Sequence, residues 1–130
     1  VRLAIDTNAY VAFARGSADV SEAIRRASQI VLPYIVVAEL RAGFRSGAQN
    51  RKNEAIFQRF LASERVSIAF ADEQTTHHYA TLFSELRRRG KPIPTNDLWI
   101  AALCLQNDVL LWSFDQHFRV IEQLPVLPHQ

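Results

Sequence analysis

Short apolar runs alternate with helix-patterned segments along almost the whole chain, and that alternation leaves few architectures open. The runs are Arg2 to Ile5, Ile30 to Leu32 before Pro33, Val66 to Phe70, Val109 to Trp112 and a weaker Pro125 to Leu127. Each is too short for a buried helix and suits a strand. Between them, the pattern turns helical from Asp6 to a break at Gly16, and again over Ala18 to Ser28. Ile35, Val36, Leu40 and Phe44 then recur at helical spacing, as do Ile56, Phe57, Phe60 and Leu61 within 53–62. A further helix is expected over Asp72 to Arg89. Its basic last turn, Arg87 to Arg89, and the Gly90, Pro92 and Pro94 that follow carry the signals of a helix end. Leu98 to Leu105 is apolar nearly all round, which assigns that helix to the interior. Strands alternating with helices imply a parallel sheet covered on both faces.

The 130 residues suit one domain spanning 1–130, with no repeat or linker to divide it. With 48% hydrophobic and 22% charged residues the chain is neither disordered nor membrane-like, and no apolar run reaches the length of a transmembrane helix. The single cysteine, Cys104, excludes an internal disulfide, and the N-terminus lacks the layout of a secretory signal; a reducing cytoplasm is the expected location. A net charge of +2 and a pI near 9.0 permit nucleic acid as a partner without demanding it.

Four acids stand beside apolar residues: Asp6 in LAIDTN, Glu39 in VVAELRAG, Asp97 in PTNDLWIAA and Asp115 in LLWSFDQHF. Singly, each has a structural reading. Asp6 suits a turn or a helix N-cap, and Asp97 a first-turn acid with Thr95 or Asn96 as cap. Glu39 lies among Val36, Val37 and Leu40, where an amphipathic helix still has an outward side. Asp115 suits the cap of a short helix leading to Phe118, Val120 and Ile121. Together, several charges in apolar settings require a compensating cation, and Mg²⁺ prefers carboxylate oxygens and water.

The four acidic motifs, in order and over nearly the full length, resemble the PIN-domain ribonucleases, most closely the VapC-type toxins of VapBC toxin–antitoxin pairs. The resemblance implies a three-layer α/β/α sandwich with a mostly parallel five-stranded sheet in the order 3-2-1-4-5. That order sets strands 1 and 4 side by side at a topological switch point, where Asp6 and Asp115 face one crevice. By resemblance, Asp6, Glu39 and Asp97 are the core catalytic and metal-binding set and Asp115 the fourth, more variable member. Ser113, Asn8 and Asn96 match polar positions that orient carboxylates or water. The activity implied is that of a type II toxin, an endoribonuclease dependent on Mg²⁺, with Mn²⁺ as substitute, in which activated water displaces at phosphorus and leaves a 5′-phosphate and a 3′-hydroxyl. No histidine is needed as base: His77 and His78 point apart on their helix, His117 is read as a local contact that could also reach substrate, and His129 lies near the terminus. The partners implied are RNA, with transfer or ribosomal RNA first, a small antitoxin whose C-terminal segment occupies a groove near the acids, and a second copy of the toxin.

Phosphates flanking the cut bond need cations, for which Arg41 and Arg45, four apart on one helix face, are candidates. Arg51, Lys52 and Arg87 to Arg89 read better as solvated faces or helix ends. Tyr10 and Phe13 suit base stacking, a protein groove or the core, while Trp99, Trp112 and Cys104 are expected inside. Two other readings compete: a PIN-like RNA-binding module without catalysis, which loss of an acid would favour, and a non-toxin RNA-processing nuclease or phosphohydrolase.

Overall fold

A computed structural model of the chain describes residues 1–129 and follows the alternating pattern closely. The first strand, β1 (Arg2–Ile5), leads into helices α1 (Thr7–Ala14) and α2 (Ala18–Arg26); β2 (Gln29–Pro33) leads into α3 (Tyr34–Ser46) and α4 (Asn50–Leu61). After β3 (Val66–Ala69) come α5 (Glu73–Arg88) and α6 (Thr95–Asn107), then β4 (Leu110–Trp112), a 3-10 helix (Gln116–Val120) and β5 (Val126–Leu127). The sheet has the order β3-β2-β1-β4-β5 and every pairing is parallel, so the expected mostly parallel sheet is parallel throughout. Chain direction across the sheet reverses after β3. Right-handed crossovers therefore put α1–α4 on one face and α5–α6 on the other.

Both faces are dry. Ala4, Ile5, Ile30, Leu32 and Leu111 are fully buried, as a sheet covered on both sides requires. In α6, Leu98 and the run Ile100–Cys104 are buried, the interior helix expected from its apolar circumference. Cys104 is enclosed there, and burial pushes its thiol up to about 12. Trp112 is buried too, but Trp99 departs from expectation: it is half-buried and stacks on Tyr79 with ring centroids 4.2 Å apart. Tyr10, 3% exposed, packs edge-on against Phe57 and Phe60 at 5.1 and 5.3 Å, and Phe13 leans on Phe60 at 5.4 Å. Both rings pack against the core, Phe13 only partly buried, and Tyr10 also lines the wall of a surface groove.

Local chemistry ends the elements where they end. Gly16 adopts φ 91° just beyond α1, and Gly90 φ 67° beyond α5, where a side chain would be strained. Asp72 caps α5 with a reciprocal capping box through Thr75. At α6 the expectation of Thr95 or Asn96 as cap is corrected: Pro94 occupies the N-cap position and the helix begins at Thr95. Proline has no side-chain acceptor, so the first turn begins without a side-chain cap. Asp97 is thereby in the first turn, as expected, with its carboxylate free of capping.

Candidate active site

Because β1 and β4 are hydrogen-bonded neighbours in parallel register, their carboxyl ends lie at the same sheet edge. Asp6 follows β1 directly, and its backbone N–H donates to the Trp112 carbonyl of β4 at 3.3 Å. Its carboxylate is tightly held: Oδ1 accepts from Ala9 N at 2.9 Å, capping α1, and Oδ2 accepts from the Ser113 hydroxyl. The same Ser113 oxygen accepts from Asp115 N at 2.9 Å. One buried hydroxyl thus links the first and fourth acids.

Glu39 approaches from the second turn of α3. Its Oε1 accepts from the Thr7 hydroxyl at 2.6 Å and its Oε2 from Asn96 Nδ2 at 3.3 Å, so helices α1 and α6 hold it from two sides. Asn8, by contrast, is exposed and makes no side-chain hydrogen bond to the four acids; its neighbour Thr7 does. Sequence reasoning missed Thr7, although a hydroxyl directly after the first aspartate was the available signal. Thr7→Val is expected to lower activity about 10- to 100-fold, the usual cost of losing a partner that orients a ligand. Thr7→Ser should restore most of it. A stability loss that Thr7→Ser also fails to repair would make Thr7 merely structural.

Asp97 and Asp115 meet at His117. Its Nδ1 lies 2.8 Å from Asp97 Oδ2 and 3.1 Å from Asp115 Oδ1, while its backbone N–H donates to Asp115 Oδ1 at 2.9 Å. Asp115 is therefore the cap of the 3-10 helix, as one reading expected, and also a member of the cluster. One donor atom each from Asp97, Asp115 and His117 falls within 4.8 Å of the other two, a spacing that suits a single cation.

Burial comes first in the electrostatics of the site, and repulsion between the acids second. Burial raises the Asp6 carboxyl above the usual range, against the lowering effect of its bonds from Ser113 and Ala9, and Asp115 and Asp97 raise it further. Burial likewise raises Asp97, partly opposed by His117, with Asp115 and Glu39 adding repulsion. Asp6 feels the charges of Asp115 and Asp97, and Asp97 those of Asp115 and Glu39, so the four carboxylates lie within electrostatic reach of one another, although only Asp97 and Asp115 join His117 at the spacing of a shared ion. Carboxylate oxygens of this kind suit a hard divalent cation.

A groove of about 430 Å³ leads away from Thr7 and Glu39 past Tyr10, Phe44 and Ile56 to Lys52. Beyond it, the two arginine candidates part company. Arg41 is committed to Glu54 of α4 through contacts of 3.2, 3.3 and 3.2 Å and sits 5.6 Å from the Phe57 ring. Arg45 is exposed and makes no ion pair among the described residues, and the same holds for Arg15, Arg51 and Lys52. The Arg87 to Arg89 run closes α5, and Arg89 also reaches the Val120 carbonyl at 2.9 Å. His77 and His78 lie on α5, exposed and half-buried respectively.

Comparison with known proteins agrees with the fold. Residues 3–124 match the PIN domain family. The chain is 36% identical over 97 residues to ribonuclease VapC1 of Haemophilus influenzae strain R2866, covering 74% of this chain and 71% of that protein. Among solved structures, VapBC2 from Rickettsia felis, bound to a DNA fragment from the promoter, superposes with a TM-score of 0.84 at 24% identity over 97% of both chains. VapBC-1 from nontypeable Haemophilus influenzae does so with the same TM-score and identity, over 97% of this chain and 96% of the other.

Proposed function

Because the chain belongs to the PIN-domain family, as a ribonuclease of the VapC type and so the toxin of a type II toxin–antitoxin pair, we propose that Asp6, Glu39, Asp97 and Asp115 form its catalytic metal site. The observation that carries this reading is the convergence of four carboxylates from β1, α3, α6 and the turn after β4, two of them with raised carboxyl pKa. The four carboxylates taken by themselves suit Mg²⁺, with Mn²⁺ as a substitute. When bound, such an ion activates water and screens the charge that develops at phosphorus.

The protein's own contribution is rigidity and position. Each Asp6 oxygen accepts one internal hydrogen bond and keeps a further acceptor site for a cation. Thr7 and Asn96 hold Glu39 at a fixed angle, and Ser113 keeps Asp6 and Asp115 in register. Arg15 and Lys52 line the groove beside Glu39, and Arg45 and Arg51 line the neighbouring cavity around Glu54, positive charge that suits drawing the phosphates of an RNA toward an otherwise anionic site. Arg41, held by Glu54, serves the packing of α3 on α4 instead. The apolar-walled groove beside Glu39 suits the C-terminal segment of a cognate antitoxin, in a complex that contains two toxin copies.

Purified protein, free of inhibitor, is expected to cleave RNA with Mg²⁺ or Mn²⁺, to stop in excess chelator, and to leave 5′-phosphate and 3′-hydroxyl ends. End-group analysis checks this. Full activity in chelator, or 2′,3′-cyclic phosphate products, would exclude the mechanism.

A further inference from the structure

We propose that His117 is itself a ligand of the divalent cation, through Nδ1, and that this nitrogen donor biases the site toward Mn²⁺ over Mg²⁺. The inference rests on the metal site proposed above and adds a residue outside the acidic set. Nδ1 stands where the Asp97 and Asp115 carboxylates converge, 2.8 Å from one oxygen and 3.1 Å from the other. With metal–ligand bonds of about 2.0–2.1 Å, adjacent ligands of an octahedral ion are about 3 Å apart, so these separations equal the edge of such a shell.

The ring is not placed there by chance of rotamer alone. Its backbone N–H donates to the Asp115 carboxylate, and the next two residues are both held in place. Phe118 is 1% exposed in the core, and the Arg119 guanidinium donates to the Ser113 carbonyl at 3.1 Å. The segment that carries His117 is thus tied to the strand end that carries Asp115. The consequence for selectivity follows from donor chemistry: Mg²⁺ takes oxygen ligands almost exclusively, whereas a transition ion gains from an imidazole.

Pulsed electron paramagnetic resonance of the Mn²⁺-loaded protein tests this directly, since a coordinated imidazole imprints ¹⁴N modulation on the Mn²⁺ signal. The unaltered protein should show that modulation, and ¹⁵N-histidine labelling should replace it with the ¹⁵N pattern without any substitution. His117→Gln should remove it and weaken Mn²⁺ binding by about tenfold or more, with Mg²⁺ binding changed less than about threefold. Mn²⁺ that binds in a manner abolished by Asp97→Asn, yet shows no nitrogen coupling, would overturn the role of His117 and leave the acidic site standing. Mn²⁺ binding indifferent to Asp97→Asn would overturn both.

Discussion

Asp6→Asn and Asp97→Asn should each lower RNA cleavage more than about 100-fold while leaving the fold intact. Loss of a residue that merely orients a ligand costs about 10- to 100-fold, and these two are proposed ligands. Both substitutions nearly conserve volume. Asp6→Asn still leaves α1 capped, because an amide oxygen can accept from Ala9 N as Asp6 Oδ1 does. The expected separation is therefore a large effect on turnover with a small one on stability. Cleavage rates beside thermal melts check it, and induction in cells should give growth arrest only with the intact acids. Cleavage by well-folded Asp97→Asn at the rate of the unaltered protein would remove Asp97 from the chemistry.

The metal-free protein should be weakened at neutral pH by the same charges that equip it. The folded pKa of Asp6 and of Asp97 is raised above the unfolded value, so each contributes stability that is fully present only below the unfolded carboxylate pKa. That contribution is lost as pH rises through the raised folded pKa, the reverse of a salt-bridged aspartate. Asp97→Asn should consequently melt at the same or a higher temperature than the unaltered protein in chelator at pH 7. Cation binding to the folded state alone restores stability as RT ln(1 + [L]/Kd), about 2.7 kcal/mol at a hundredfold excess over Kd. For a domain of this size that raises Tm by roughly 10 °C. Asp97→Asn should lose most of the rise. If it instead melts early in chelator and keeps the full response to Mn²⁺, Asp97 is a structural residue.

Much of this architecture is legible in the amino-acid sequence, and the exceptions share a cause. Strand and helix positions follow from apolar period, and the sheet order from resemblance; the convergence of Asp6 and Asp115 then follows from strand adjacency. Glu39 and Asn96 also come together, at 3.3 Å, across 57 residues of chain. What the sequence does not reveal depends on the direction of single side chains. Thr7 and Asn8 are consecutive helical residues that point apart, and only the position of α3 decides that Thr7 is the one to meet Glu39. Arg41 reads as a free cation until α4 folds back and presents Glu54. His117 lies two residues past Asp115, but its approach to Asp97 needs the start of α6 to lie alongside the 3-10 helix. Asp108 closes α6 in a left-handed conformation, φ 54°, where the sequence carries no glycine to mark it.

The central claim is that these carboxylates hold a divalent cation, and anomalous scattering from crystals soaked in Mn²⁺ tests it most directly. The expected result is a Mn²⁺ peak bonded to carboxylate oxygens of Asp97 and at least one more of Asp6, Glu39 and Asp115, and absent from crystals of Asp97→Asn. Millimolar Mn²⁺ that leaves this crevice empty, or binds only at a surface away from the four acids, would contradict it.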